Sequence, residues 1–290
     1  MRDYVILTDS CCDLPAELAA ELELTVLPPS VRMDNEEYTG DLAGSGISHA
    51  SFYARLRAGE KASTAAVNVG QYEEAMRGAL QSGRDVVCIN FSSALSSTHH
   101  AAQIAAQEIE REFPEGHIFV VDSLCASLGQ GLLLYLAAQK KREGVSAEAL
   151  ADWAGECRRS VCHWFTVDDL NYLKQGGRIN AATAMLGAML AIKPILHMSD
   201  EGTLTLTDKT RGRKPSLLKL IDEAARRAVA PETQTMFICH GDCAEEANWL
   251  AEQLKARLHV PRVIVNYIGP VIGSHTGPNT VGLFFLGTER

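Results

Sequence analysis

Positive charge is the first thing this 290-residue chain is short of. It has 27 Lys and Arg against 36 Asp and Glu, a net charge of −9. Neutralising nucleic-acid phosphates takes a basic surface, so no nucleic-acid partner is expected. No apolar run is long enough to span a bilayer, and the opening stretch MRDYVILTDSC has no signal-peptide anatomy, so a cytoplasmic protein is expected. In that compartment the eight cysteines stay reduced. Their spacing is poor for metal. Cys11 and Cys12 are adjacent, Cys157 and Cys162 lie too far apart for a knuckle, and Cys239 and Cys243 lack a second pair. No metal site is expected, and most of the thiols are expected to be buried and structural.

Several catalytic signatures are missing too. Gly129 and Gly131 open a Gly-x-Gly, but Leu134 holds the third glycine position of the dinucleotide fingerprint. There is no Walker-type phosphate loop and no His-Glu-x-x-His pair, so no cofactor is expected. Gly273-Ser274-His275-Thr276-Gly277 has the outer glycines of a nucleophile elbow, but the elbow needs Ser in the middle and His275 stands there. Bulky residues follow it: Val281, Leu283, Phe284, Phe285 and Leu286. They are expected to wall the imidazole with apolar surface.

What is present alternates. YVILTDS, DVVCINFSSAL and HIFVVDS are short apolar runs that lead into turn residues, each followed by a helical pattern. Such alternation predicts a mostly parallel sheet covered by helices on both faces. After about Ser160 the pattern changes. CHWFTVDDLNYLKQGG reads as strand, short helix and glycine stop, and AATAMLGAMLAI as a nearly all-apolar helix. KPILHMSDEGTLTLTDK reads as a β-hairpin around Asp-Glu-Gly. The expectation is two α/β domains, residues 1–160 and 161–290, the second with the hairpin.

Four hydroxyl-rich clusters fall where α/β proteins place ligand groups, at strand ends and loops. They are Thr8-Asp9-Ser10, Ser63-Thr64, Ser92-Ser93 with Ser96-Ser97, and Ser274-His275-Thr276; Arg178 follows Gly176-Gly177. Neutral donors with one imidazole and one guanidinium suit an anionic head group, and a carboxylate is expected. Each cluster also has a structural reading. Asp9 and Ser10 suit a cap for the helix near Leu14, Ser96 to Thr98 a cap for the next helix, and Ser63-Thr64 a cap near Gln71. Arg178 suits a helix C-terminus or a pair with Asp168 or Asp169.

ILTDSCCDLP, FSSALSST, VVDSLCASLGQG, LNYLKQGGRI and IGPVIGSHTGPNTVG resemble, in order, the signature segments of the DegV family of bacterial fatty-acid-binding proteins. The resemblance implies two α/β domains with a long-chain fatty acid buried between them. It further implies a non-catalytic, lipid-carrying subunit that presents the carboxylate to a separate ATP-binding kinase subunit, with transient contact to a membrane surface. By motif, Thr64, Ser93 and His275 would surround the carboxylate and Arg178 would lie nearby. Ser63, Ser92, Ser96 and Thr276 complete the expected ligand-binding set. Arg211, Arg213 and Lys214, in the basic segment after the hairpin, would dock the partner. Ala65-Ala66-Val67 replaces the family's Ser-Gln-Pro, Ser97 replaces Gly, and His99-His100 replaces a Tyr-polar pair. Met185 and Met189 are expected as adaptable liners for the acyl chain, or as plain core. Two alternatives stand beside the carrier. One is a serine hydrolase using Ser93, His275 and Asp9, and the other a nucleotide-dependent enzyme.

Overall fold

The computed structural model describes residues 2–179 and 192–290. Its strands, in chain order, are β1 (Tyr4–Asp9), β2 (Leu24–Leu27), β3 (Ser30–Met33), β4 (Glu36–Thr39), β5 (Ala62–Ala65), β6 (Asp85–Asn90), β7 (Ile118–Asp122), β8 (Val161–Thr166), β9 (Ile192–Met198), β10 (Leu204–Arg211), β11 (Thr235–His240), β12 (Arg262–Tyr267) and β13 (Val281–Leu286). The α-helices described are α1 (Ala16–Glu21), α2 (His49–Arg57), α3 (Val69–Gln81), α4 (Thr98–Glu112), α5 (Leu128–Arg142), α6 (Ala147–Cys157), α7 (Leu170–Gln175), α8 (Arg213–Arg227), α9 (Ala244–Leu258) and α10 (Pro270–Thr276). The segment 180–191, with Met185 and Met189 and the expected apolar helix, lies outside the described residues.

The apolar runs of the first half become a parallel sheet in the order β2-β1-β6-β7. Every residue of β1 and β6 is buried, as a strand covered on both faces requires. Alternation along the strand divides two cores. Val5 and Leu7 pack with Tyr72 and Met76 of α3 and Ala105 and Ile109 of α4. Ile6 faces the other way, toward Leu18, Leu132 and Leu150 of α1, α5 and α6. Each large apolar side chain fully buried in this way contributes about 1.5–3 kcal/mol.

The second sheet is mixed, in the order β10-β9-β8-β13-β11-β12, and only β11 and β12 run parallel. It begins at Val161, and all four strands of the parallel sheet precede residue 160. Helices α8 and α9 cover one face, where Leu220, Ile221, Leu250 and Leu254 meet Trp164, Leu283 and Phe285. Phe237, Cys239 and Phe284 point to the opposite face and join the core of the first half, where Tyr135 of α5 packs edge-on to Phe237 at 5.6 Å. Helix α5 therefore lies between the two large sheets. A third, antiparallel sheet, β4-β3-β5, was not foreseen in the sequence.

A buried carboxylate joins the halves. Asp13 accepts from Gly269 N at 2.9 Å and from Ser127 Oγ, and its carbonyl accepts from Asn266 Nδ2 at 2.8 Å. Burial pushes its pKa up to about 7.

Candidate functional site

Between the sheets lies a cavity of about 240 Å³. Helix α10 and the residues before it form one wall. Ile268, Val271, Ile272, His275 and Thr276 all face in, the spacing of one helical stripe. At 1.5 Å per residue, Val271 lies about 6 Å from His275 along this wall. Phe91, Leu95, Phe165, Leu173, Met198, Leu204 and Phe284 supply apolar surface from other elements. Arg178 is the one charged side chain among the described lining residues.

At one end the sequence-predicted groups converge. Thr64, on β5, places Oγ1 2.9 Å from His275 Nε2. Burial, aided by the positive charge of Arg178, lowers the His275 pKa to about 4, so the imidazole is neutral at pH 7. Among the described residues His275 Nδ1 is buried without a hydrogen-bond partner. It faces the backbone of Gly176, where a Cβ would lie only 2.3 Å away, so glycine is what lets the imidazole fit. Arg178 donates from Nε to Leu95 O at 3.1 Å and from Nη1 to Gly176 O. Ser96 Oγ lies 3.0 Å from Thr98 Oγ1 and also accepts from Thr98 N at 3.3 Å. Thr64, Ser96, Arg178, His275 and Thr276 all line the cavity.

Away from this end the polar liners are committed to the protein itself. Ser127 donates to Asp13, and Thr280 to Thr276 O or Gly277 O, each at 3.0 Å. His163 Nδ1 pairs with Val161 O at 2.9 Å and Nε2 accepts from Ala126 N at 3.2 Å, while burial holds its pKa well below the usual value. Thr276 donates back to Ile272 O at 3.2 Å. Burial also pushes the Cys11 and Cys239 thiols up, so these liners stay neutral. The cavity is thus polar and positive at one end and apolar beyond it.

Other expected site residues lie elsewhere. Ser63 is exposed and sits opposite Arg32 on the outer face of β5, because side chains alternate and Thr64 takes the inner face. Ser92 is buried outside the cavity and donates to Gly202 O at 2.8 Å. Ser93 is exposed, and its N–H donates to Asp122 Oδ1 at 3.1 Å. The hydrolase triad is therefore not assembled. Asp9 accepts from Cys11 N, Phe91 N and Gln130 Nε2 at 3.1, 3.0 and 3.3 Å, capping the turn after β1, and His275 pairs with Thr64. Helix α3 is capped by Asn68 with Gln71, not by Ser63 or Thr64. Asp168 pairs with Lys193 at 2.6 Å, not with Arg178.

In the basic segment the expectation for Arg213 alone is corrected. Arg213 opens α8 pointing inward, and it donates to Glu246 at 2.9 and 2.6 Å and to Asn279 O at 2.6 Å. It is a structural tie. Arg211 and Lys214 are exposed, and Lys214 Nζ lies 5.7 Å from the Trp249 ring centre. Of the five residues expected to wall His275 after it in the chain, one lines the cavity, and Leu286 packs against the core of the first half instead. Of β13, Phe284 faces the cavity, whereas Val281, Leu283 and Phe285 face α8 and α9. His275 itself sits on helix α10, not on a strand-to-helix elbow. Among the described residues no group of three or more His, Cys, Asp or Glu is placed to hold a metal ion, and no helix is long and apolar enough to cross a membrane.

Fold and site define a class: an α/β protein that encloses, between a parallel and a mixed sheet, a cavity with one polar end. The chain belongs to the DegV family; the family model described as "Uncharacterised protein, DegV family COG1307" matches residues 3–288. A DegV domain-containing protein of Clostridium perfringens is 42% identical over 290 residues, which covers 100% of this chain and 99% of that protein. A solved DegV family protein from Thermus thermophilus, described by its fatty acid binding, has a TM-score of 0.86 at 31% identity, over 99% of this chain and 100% of that one. A stearic-acid-binding protein from Eubacterium ventriosum has a TM-score of 0.88 at 26% identity, over 98% of each chain. The family resemblance carried by the sequence motifs therefore extends over nearly the whole chain.

Proposed function

We propose that this protein binds one long-chain fatty acid, with its carboxylate at Thr64, His275, Ser96 and Arg178 and its tail along α10. The observation that carries the reading is the one-ended polarity of the cavity. A lone guanidinium with no carboxylate among the described lining residues favours an anionic head. Internally satisfied groups beyond it favour an unsubstituted tail. Burying a chain contributes about 0.8 kcal/mol per methylene, so a long tail supplies roughly 10 kcal/mol before ordering costs. Each head-group hydrogen bond adds about 1 kcal/mol net. The tail gives affinity and the polar end gives orientation.

The carboxylate is then presented to a separate ATP-binding kinase subunit, which forms the acyl phosphate. In that step a carboxylate oxygen attacks the γ-phosphorus of ATP and ADP leaves. This chain supplies no phosphate loop; it holds the nucleophile in line. On this reading it is not itself an enzyme, and it works in the cytoplasm with transient contact at a membrane surface. Its two domains, 1–160 and 161–290, enclose the ligand between them. Exposed Arg211 and Lys214 steer the partner, as surface charges do, so that contribution weakens with salt. Thr64→Ala, Ser96→Ala and His275→Ala are expected to lower kinase-dependent acyl-phosphate formation more than they lower lipid binding. Equal loss of both, or unchanged phosphorylation in all three, refutes the assignment of the head-group end.

A further inference from the structure

The β9–β10 hairpin ends in a tip that β8 does not support. β8 pairs with β9 only as far as His197, opposite Trp164. Past that point Met198 pairs with Leu204 across the hairpin, and both residues line the cavity. Gly202 N–H donates to Ser199 O at 2.9 Å and Ser199 N–H to Thr203 O at 2.8 Å, which closes the turn. The tip is thus a short, internally bonded flap that carries two apolar pieces of the cavity wall.

The flap is fastened to the first half of the chain. Ser92 Oγ donates to Gly202 O at 2.8 Å, the one hydrogen bond among the described residues between the 198–204 tip and the first half. Gly202 makes the approach possible. Its φ is +76°, and a Cβ there would lie 2.3 Å from Ser92 Oγ and 3.1 Å from Leu124 Cδ2. Ser92 is fully buried, so the bond is shielded from water while the flap is down.

We propose that Ser92 and Gly202 form a latch that sets how fast ligand enters and leaves the cavity. Ser92 is a positioning residue here: it touches the flap and acts on the ligand only through Met198 and Leu204. For an enclosed ligand to leave, the flap lifts and the Ser92 bond breaks. Removing the hydroxyl deletes that part of the opening barrier. The proposal rests on the acyl-chain reading of the cavity.

The test is stopped-flow release of a fluorescent long-chain fatty acid into excess oleate, with hydrogen exchange of the 198–204 peptide and a melting curve for each variant. Ser92→Ala is expected to speed release about three- to tenfold, the worth of one neutral hydrogen bond. The dissociation constant is expected to change less than the release rate, because entry speeds up too. Hydrogen exchange should rise at the tip and not across the protein. Gly202→Ala, which pushes the tip off Ser92, should also speed release, and the double variant should be no faster than the faster single, since both act on one contact. Release at the wild-type rate while tip exchange rises overturns the latch, as does additive behaviour of the two variants. If the wild-type chain binds no fatty acid, the acyl-chain reading itself fails and the latch falls with it.

Discussion

Gly176→Ala disturbs the head-group end without deleting a donor. The Gly176 backbone is right-handed helical, φ −69° and ψ −12°, so alanine fits the chain there. The new methyl would lie 2.3 Å from His275 Nδ1. Uncharged atoms settle at about 3.5–4.0 Å, so something must yield by about 1 Å. The imidazole is held on its other nitrogen by Thr64 at 2.9 Å. Either the ring turns or Thr64 is driven out of line, and both break the pair. Losing one to two head-group hydrogen bonds removes about 1–2 kcal/mol, a five- to thirtyfold weaker hold on a carboxylate. Stability should barely change, because the entropy that alanine removes from the unfolded chain, about 0.4–1 kcal/mol, offsets local crowding. The assay is competitive binding of palmitate and hexadecanol, which share a tail and differ in the head. The wild type should prefer the acid, and Gly176→Ala should lose most of that preference while keeping the alcohol affinity. An acid-to-alcohol ratio within twofold of wild type would refute the assignment of His275 and Thr64 to the head group.

Further expectations follow from single contacts. Arg213→Ala should lower unfolding free energy by about 2–3 kcal/mol in denaturant titrations, because Glu246 and Asn279 O lose a charged donor, while Arg211→Ala should stay within about 0.5 kcal/mol. Asp13, with its pKa pushed up to about 7, keeps its proton in the folded state where the unfolded carboxyl has lost it. Its contribution therefore falls as pH rises from about 4 to about 7, and Asp13→Asn should flatten that part of a urea-midpoint profile. His275 acts in the opposite sense. Its pKa is lowered to about 4, so the unfolded state takes up a proton first and stability is lost as pH drops from about 6.5 toward 4. That loss is about 3 kcal/mol at most, and His275→Gln should remove it.

Much of the fold was legible in the sequence. Short, β-branched apolar runs bounded by turn residues, such as YVILTD and DVVCIN, read as strands buried on both faces, and Asp-Glu-Gly between alternating stretches marks the hairpin turn. The small β4-β3-β5 sheet was not legible. Its strands are four residues long, only β3 alternates polar with apolar residues, with Val31 and Met33 buried around Arg32, and Glu36, Glu37 and Thr39 of β4 are exposed, so the apolar period is too short to announce them. Yet β5 is what brings Thr64 to His275, so their pairing came only from family motifs. The serines show a second limit. Residue type identified Ser92, Ser93 and Ser96 as polar but not which way each faces, and only Ser96 reaches the cavity. In β13 both faces are buried, so composition could not separate Phe284 from Leu283 and Phe285. Arg213 looked like part of a solvated run because its partners, Glu246 and Asn279, are distant in sequence.

The most direct test of the central claim is native mass spectrometry of the purified protein followed by denaturing extraction of whatever it carries. One intact long-chain fatty acid per chain is expected, with a melting temperature that rises when emptied protein is reloaded with palmitate or oleate, as mass action requires. Protein that carries no stoichiometric fatty acid and melts at the same temperature with and without added palmitate or oleate would contradict the account.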